Sequence, residues 1–275
     1  MSHTNPEWQI AVIETENVIY YSNYCPQPLE PHSAVTQIIQ GLYQNRPDEA
    51  LRLLRRPIIT NYNPTLLCRG MIAVAAKRYL INKHFSLENT HKNLVPIRYL
   101  IEHSQNTSLP SPSSTLSSPI RDKDCLSNKA NLNTWLSHYP TYPRHKSIRA
   151  ALTDSRGVTV LAAESDSKIN KTLHAEVVLL QKYFSVHAEG FKVATQLHTN
   201  LQSCKMCAAM FWHMHTDPWK NLKASYYYAE QGSIARDTLF TSGSNSRRAI
   251  ARNNTEIFQS VEKLLTPPIK SLSIG

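Results

Sequence analysis

The alternation of strand-like and helix-like segments in the C-terminal half constrains the fold of this chain most strongly. Two apolar runs flank Asp154-Ser155-Arg156-Gly157, which predicts a β-hairpin. Four patterns follow, in the order helix, strand, helix, strand: "LHAEVVLLQKYF", "FKVATQLHT", "CAAMFWHMH" and "KASYYYAE". Helices are also expected around "RRAIAR" and "TEIFQSVEKLL". The order β-β-α-β-α-β-α predicts an α/β fold in which helices cover a sheet.

The N-terminal half is expected to be mainly helical. Two strand-like runs, "WQIAVIE" and "NVIYYS", precede helical patterns in the order "AVTQIIQGLYQN", "PDEALRLLRRP", "NPTLLCRGMIAVAAKRYLINKHF" and "NLVPIRYLIEHS". No repeat and no chemical motif is evident in this half. A Ser/Thr/Pro-rich stretch at 104–120 is typical of an exposed linker. We therefore expect a helical module of unknown role at 1–103, the linker at 104–120 and a second domain at 121–275.

The charge of the chain favours a polyanionic partner. The 275 residues carry a net charge of +10, and such an excess attracts nucleic acid. The basic runs "YPRHKSIR" and "SRRAIAR" flank the second domain and could follow phosphates. No uncharged apolar run reaches the length of about 18 residues that a membrane span needs. The N-terminus lacks the pattern of a secretory signal, so we expect a cytoplasmic protein with no membrane partner.

Two closely spaced cysteines suggest a metal site. Cys204 and Cys207 lie at a predicted strand-to-helix junction, where residues three apart share one helix face. The positive end of the helix dipole favours thiolates there. A redox pair or a coincidence in a core helix are the alternatives. The other cysteines, Cys25, Cys68 and Cys125, are isolated and are expected to be reduced thiols.

His174 is the best candidate for a third ligand. It lies 30 residues before Cys204, at the start of the preceding predicted helix. That interval holds a helix, a loop and a strand, so the two helix N-termini can meet at one end of the sheet. Three protein ligands leave one position open, which is typical of catalytic zinc. Glu176 is badly placed as a fourth ligand, but it can reach the same pocket and transfer protons.

The remaining histidines of this half are expected to have other roles. The second "HAE", at 187–189, leaves no room for a helix before the next strand. His198 is expected in a core or edge strand, and His213 and His215 are expected to pack or to lie at the surface.

The combination of "HAE" with a later Cys-x-x-Cys helix start resembles the zinc-dependent cytidine deaminase-like superfamily. The stretch "TNLQSCKMCAAM" is similar to tRNA adenosine deaminases, and the resemblance covers about 130–260. It implies a three-layer α/β/α core with a mixed sheet and a Zn²⁺ ion held by His174, Cys204 and Cys207. It also implies that Glu176 is catalytic and shuttles protons between zinc-bound water, the base and the leaving ammonia.

The resemblance implies substrate contacts as well, and it has two departures. Asn170, Ala175 and Ser203 are the candidate substrate-binding residues. Gln202 and Ser203 stand where the superfamily has Glu-Pro. Many relatives are dimers, so a homodimer is an open alternative.

Three functions remain open from the sequence. The favoured one is hydrolytic deamination of a nucleobase in nucleic acid, with RNA favoured over DNA and with adenosine and cytidine both open. The alternatives are deamination of free nucleosides or nucleotides and a non-catalytic zinc-binding partner subunit. Tyr226, Tyr227 and Tyr228 could stack bases or belong to the core.

Overall fold

The fold was derived from a computed structural model of the chain. It describes the following residues: 8–76, 78–85, 87–88, 90–101, 129–137, 148–165, 167, 170–188, 190–191, 196–214, 223–228 and 248–250. The predicted linker, Cys125, His215 and the segment "TEIFQSVEKLL" lie outside these residues. Among the described residues, no helix combines the length and the apolar character that crossing a membrane requires.

The described residues between 8 and 101 build a five-stranded sheet with three helices. The strands are β1 (Gln9–Glu14), β2 (Val18–Tyr24), β3 (Ile58–Thr60), β4 (Tyr79–Ile81) and β5 (Asn93–Pro96), and the helices are α1 (Ala34–Asn45), α2 (Pro47–Leu53) and α3 (Leu66–Ala75). The sheet order is β4-β3-β1-β2-β5. β1 pairs antiparallel with β2 and β3, whereas β3–β4 and β2–β5 are parallel. We call this part the N-terminal unit.

The structure does not show the mainly helical N-terminal module that the sequence predicted. The longest helical pattern ends at Ala75, and its continuation forms β4. The next pattern, "NLVPIRYLIEHS", contains β5 instead of a helix. Both strands are short edge strands of a sheet, so few of their residues show the alternation of a half-buried strand.

The C-terminal unit, from 129 to 250, contains a second five-stranded sheet. Its elements are α4 (Lys129–Leu136), β6 (Arg149–Thr153), β7 (Thr159–Glu164), α5 (Ala175–Val186), β8 (Gln196–Leu201), α6 (Lys205–His213), β9 (Lys223–Tyr228) and β10 (Arg248–Ile250). The sheet order is β10-β9-β8-β6-β7. It is mixed, because β8–β9 is parallel and the other pairs are antiparallel. The predicted hairpin is present, with Gly157 at a positive φ of 83° in its turn.

Helices cover both faces of the C-terminal sheet, which agrees with the predicted α/β class. Ala150 and Leu152 on β6 belong to the core that contains α5 and α6. Ala151 lies between them in sequence and faces the opposite side, where it packs with Trp135 of α4. Two sequence predictions fail here: α4 was not foreseen, and residues 248–250 form β10 rather than a helix.

The two units share one hydrophobic core. α1 packs on β1 and β2, α5 packs on β6 and β7, and α3 packs along α6. The helices therefore connect the two sheets through buried side chains of both units. Inside this contact, the side-chain amides of Gln40 and Gln181 bond reciprocally at 3.2 and 2.8 Å.

Candidate metal centre

Three potential ligand atoms meet where α5 and α6 begin. His174 is the N-cap residue of α5, and Cys204 is the N-cap residue of α6. Both have extended backbone conformations, with ψ of 156° and 171°. Neither side chain makes an N-cap hydrogen bond to its own helix, although Sγ of Cys204 contacts Sγ of Cys207 in the first turn of α6. The two side chains therefore stay available for a ligand, and Cys207 adds a third from the first turn of α6.

The three atoms form a nearly equilateral triangle. Nδ1 of His174 lies 3.4 Å from Sγ of Cys204 and 3.5 Å from Sγ of Cys207, and the two sulfurs are 3.5 Å apart. A tetrahedral zinc ion with ordinary bond lengths holds a sulfur and a nitrogen about 3.6 Å apart and two sulfurs about 3.8 Å apart. The donor set and its spacing therefore fit zinc. No other group of three such ligands occurs among the described residues.

The ionisations of the three groups depend on one another: burial, followed by the hydrogen bond and charge of Cys204, raises the pKa of the Cys207 thiol well above its usual range. The hydrogen bond with Cys207 and the charge of His174 hold the pKa of the Cys204 thiol well below its usual range, although burial opposes this. Burial also opposes protonation of His174, but the charge and hydrogen bond of Cys204 raise its pKa to about 9. The Lys171 carbonyl accepts a hydrogen bond from the His174 ring. Contacts of this kind orient a metal-ligating imidazole.

Glu176 lies beside the triangle and is almost fully buried, with 3% of its surface exposed. Burial, followed by the charge of Cys204, raises the pKa of its carboxyl group. Ser203 hydrogen-bonds to the carboxylate through its side chain. A proline at position 203 could not make this bond. The departure from the superfamily pattern thus supplies a contact to the predicted catalytic residue.

The predicted substrate residues are buried around the centre. Oδ1 of Asn170 accepts hydrogen bonds from the backbone N and the Oγ1 of Thr172, at 3.0 and 2.7 Å. This turn leads directly into His174. Ala175 and Ser203 are also buried. Their substrate roles stay predictions, and the contact between Ser203 and Glu176 is a feature that the sequence did not reveal.

The other histidines lie away from the triangle. His187 caps the end of α5 and packs on the ring of Tyr183, and His198 bonds to Thr153 and Ser225 across the sheet. His213 lies in the last turn of α6 and bonds to the backbone of Glu30 in the N-terminal unit.

Two suggested nucleic-acid contacts have other roles in the structure. Arg149 pairs with Glu164 at 3.0 Å and stacks over Trp135, so its charge is largely used within the unit. Tyr226 is a buried core residue, and the hydroxyl group of Tyr228 donates to the Ser137 carbonyl at 2.7 Å.

The C-terminal unit contains a deaminase domain of a cytidine deaminase-like family. Residues 141–250 match the family described as Bd3614-like deaminase. This confirms the superfamily resemblance for that segment and supports a deaminase function. The closer resemblance to tRNA adenosine deaminases stays a prediction. No curated protein sequence matches the chain.

Proposed function

We propose that the chain is a zinc-dependent hydrolytic deaminase of a nucleobase in nucleic acid, with RNA as the favoured polymer. The observation that carries the proposal is the triangle of His174, Cys204 and Cys207 with the buried Glu176 beside it. The match of residues 141–250 to a deaminase family supports a deaminase activity of this unit. The net charge of +10 supports a polyanionic substrate.

His174, Cys204 and Cys207 would hold the zinc ion. When bound, zinc supplies a Lewis acid that lowers the pKa of a coordinated water to about 7. The three protein ligands leave one coordination position for that chemistry.

Glu176 would move the protons. Its carboxylate oxygen accepts a proton from the attacking water, holds it, and donates it to the ring nitrogen of the base. The same oxygen then accepts the proton of the added hydroxyl group and donates it to the amino group, which leaves as ammonia while the carbonyl of the product forms. The raised pKa supports this role, because a general acid–base works best when its pKa approaches the working pH. Ser203 keeps the carboxylate in one orientation by its hydrogen bond.

The test is mass spectrometry of nucleosides from RNA and DNA incubated with the purified protein. The Glu176→Ala variant is the negative control, and Glu16→Ala, at an exposed position, is the matched control. We expect inosine, or a rise in the ratio of uridine to cytidine, from RNA with the wild type and with Glu16→Ala, but not with Glu176→Ala. Product from free nucleosides alone would contradict the polymer substrate. Product with Glu176→Ala equal to the wild type would contradict the proton-transfer role.

Metal analysis tests the cofactor separately. The wild type and the Cys25→Ser control should each bind about one zinc ion per chain, and Cys207→Ser should bind none. A zinc-loaded wild type without product from any substrate would leave the non-catalytic zinc subunit as the better description.

A further inference from the structure

The two units have the same topology, although no repeat is evident in the sequence. Apart from the short helix α2, which follows α1 in the N-terminal unit alone, each unit has a hairpin, a helix, a strand, another helix and a strand parallel to the previous one. The sheet orders correspond element by element, with β4-β3-β1-β2 matching β9-β8-β6-β7. The pairing directions also agree at each of these three junctions. Within the sheets the fifth strand differs, because β5 and β10 are added at opposite edges, and outside them α2 and α4 have no counterparts among the described residues.

Equivalent side chains make the same hydrogen bonds in the two sheets. Thr60 Oγ1 donates to the carbonyl two residues later at 2.8 Å, and Thr199 does the same at 2.6 Å. Both threonines also reach a carbonyl of the next parallel strand at 3.4 Å. The following residues, Asn61 and Asn200, each accept a bond from the first hairpin strand, at 2.7 and 2.8 Å. The correspondence therefore extends from topology to individual atoms.

Each proposed metal ligand has a counterpart in the N-terminal unit at the same distance from the start of the corresponding helix. Ser33 is the N-cap residue of α1, as His174 is of α5. Thr65 is the N-cap residue of α3, as Cys204 is of α6. Cys68 follows Thr65 at the spacing that separates Cys207 from Cys204. Val35 stands in the place of Glu176, so the N-terminal unit has no carboxylate for proton transfer.

These counterparts converge as the ligands do, but they bond to each other. Sγ of Cys68 lies 3.2 Å from Oγ of Ser33 and 3.3 Å from Oγ1 of Thr65. Ser33 and Thr65 also accept bonds from backbone N–H groups of the helices that they begin. The Tyr62 hydroxyl group lies 3.6 Å from the Cys68 sulfur and closes the cluster. The cluster is therefore satisfied without a cation.

The contact between the units pairs equivalent positions with each other. Gln40 and Gln181 occupy the same position in α1 and α5, and they form the reciprocal amide pair. Gly70 and Ala209 occupy the same position in α3 and α6, and a Cβ atom at Gly70 would lie 3.5 Å from the Cβ of Ala209. Contact between identical positions is the property of a twofold interface.

We propose that the N-terminal unit is a degenerate second deaminase-like unit that occupies the place of a partner subunit. Its metal site is replaced by the Ser33–Thr65–Cys68 cluster, and it packs against the helices of the catalytic unit about an internal twofold axis. This inference rests on the proposed function in one respect, which is that the ion held by the C-terminal site is zinc.

The decisive test transfers the C-terminal site to the N-terminal unit. Ser33→His, Tyr62→Leu and Thr65→Cys introduce the residues found at the equivalent positions 174, 201 and 204, and Cys68 is retained. The substitutions are made in the Cys207→Ser background, in which we expect no zinc. The transplanted chain should bind about one zinc ion. Thr65→Cys alone, in the same background, is the control and should bind none, because two thiols without the histidine are an incomplete set.

A reciprocal variant covers the case in which the transplanted chain does not fold. His174→Ser with Cys204→Thr copies the N-terminal cluster into the C-terminal unit. It should bind no zinc and keep a circular dichroism spectrum like that of Cys207→Ser. A folded transplant without zinc would overturn the inference, and so would a reciprocal variant that unfolds where Cys207→Ser does not. A wild type that binds no zinc would instead contradict the proposed function.

Discussion

The two clusters at the helix starts differ in what their side chains do for the helix. Ser33 and Thr65 cap the helices that they begin, whereas His174 and Cys204 make no such bond. A side-chain cap contributes about 0.5–2 kcal/mol to stability. The C-terminal unit lacks this contribution at both helices, and the side chains of His174 and Cys204 face each other instead. The comparison shows that similar helix starts can be capped or left uncapped, according to the side chain at the N-cap position.

The largest effect is expected when Cys207 is substituted, and little effect is expected at Cys68, which occupies the equivalent position in the N-terminal unit. Cys207→Ser should lose zinc and all activity, because a ligand is removed. Cys68→Ser should keep about one zinc ion per chain and wild-type activity, since a hydroxyl group can replace the thiol in the hydrogen-bonded cluster. Metal analysis and the nucleoside assay on both variants check this. Loss of zinc from Cys68→Ser would mean that the two sites have been assigned the wrong way round.

The second prediction concerns His32, which precedes the N-terminal cluster and lies 3.5 Å from the Gln181 amide. Burial lowers the pKa of His32 to about 4. Between pH 6.5 and 4 the unfolded state therefore binds a proton that the folded state does not. Stability contributed by the neutral ring is complete above pH 6.5 and is lost as the pH falls towards 4, by about 3 kcal/mol.

His32→Gln should reduce this loss. Urea unfolding at pH 7 and at pH 4.5 measures it, with the wild type as the reference for every other titrating group. Equal differences between the two pH values in both proteins would contradict the assignment.

A third prediction tests the close contact between the units. A Cβ atom at Gly70 would lie 2.8 Å from Cα of Met206, which stands between Cys204 and Cys207. In a free helix Gly→Ala stabilises by about 1 kcal/mol, but overpacking costs about 1–3 kcal/mol. Gly70→Ala should therefore lower the free energy of unfolding. An increase on thermal or urea unfolding would show that α3 and α6 are not packed so closely.

The last prediction concerns the reciprocal amide pair of Gln40 and Gln181. Gln40→Ala or Gln181→Ala alone leaves one buried amide without its partner and should cost about 1–3 kcal/mol. The double variant should cost less than the sum, because both partners are removed together. A double-mutant cycle on the free energy of unfolding measures the coupling. Strict additivity would show that the two amides do not stabilise each other.

The part of the C-terminal unit from the hairpin to β9 could be predicted because its signals are local and strong, whereas α4 and β10 were missed. The hairpin turn and the alternating runs are visible in short stretches of the sequence. The spacing of His174, Cys204 and Cys207 is visible as a motif. The contact from Ser203 to Glu176 could not be predicted, since it depends on how the loop before α6 meets the start of α5.

The N-terminal unit was hidden for a physical reason. Its edge strands are short. Among Ser33, Thr65 and Cys68, two differ in chemical type from their counterparts in the C-terminal unit, so the motif of that unit is not visible here. The signal that survives is the dipeptide Thr60-Asn61, repeated as Thr199-Asn200. The hydrogen bonds of this dipeptide hold the strand that leads into α3 or α6. This structural requirement is independent of catalysis.

The shared core between the two sheets determines how the pairing of the two units responds when the protein is diluted. Two separate subunits dissociate when their concentration falls below the dissociation constant, and an obligate dimer then loses its stability. Here the two units belong to one chain, so their pairing is a unimolecular equilibrium with a fixed effective concentration. The C-terminal unit therefore stays packed against the N-terminal unit at any protein concentration.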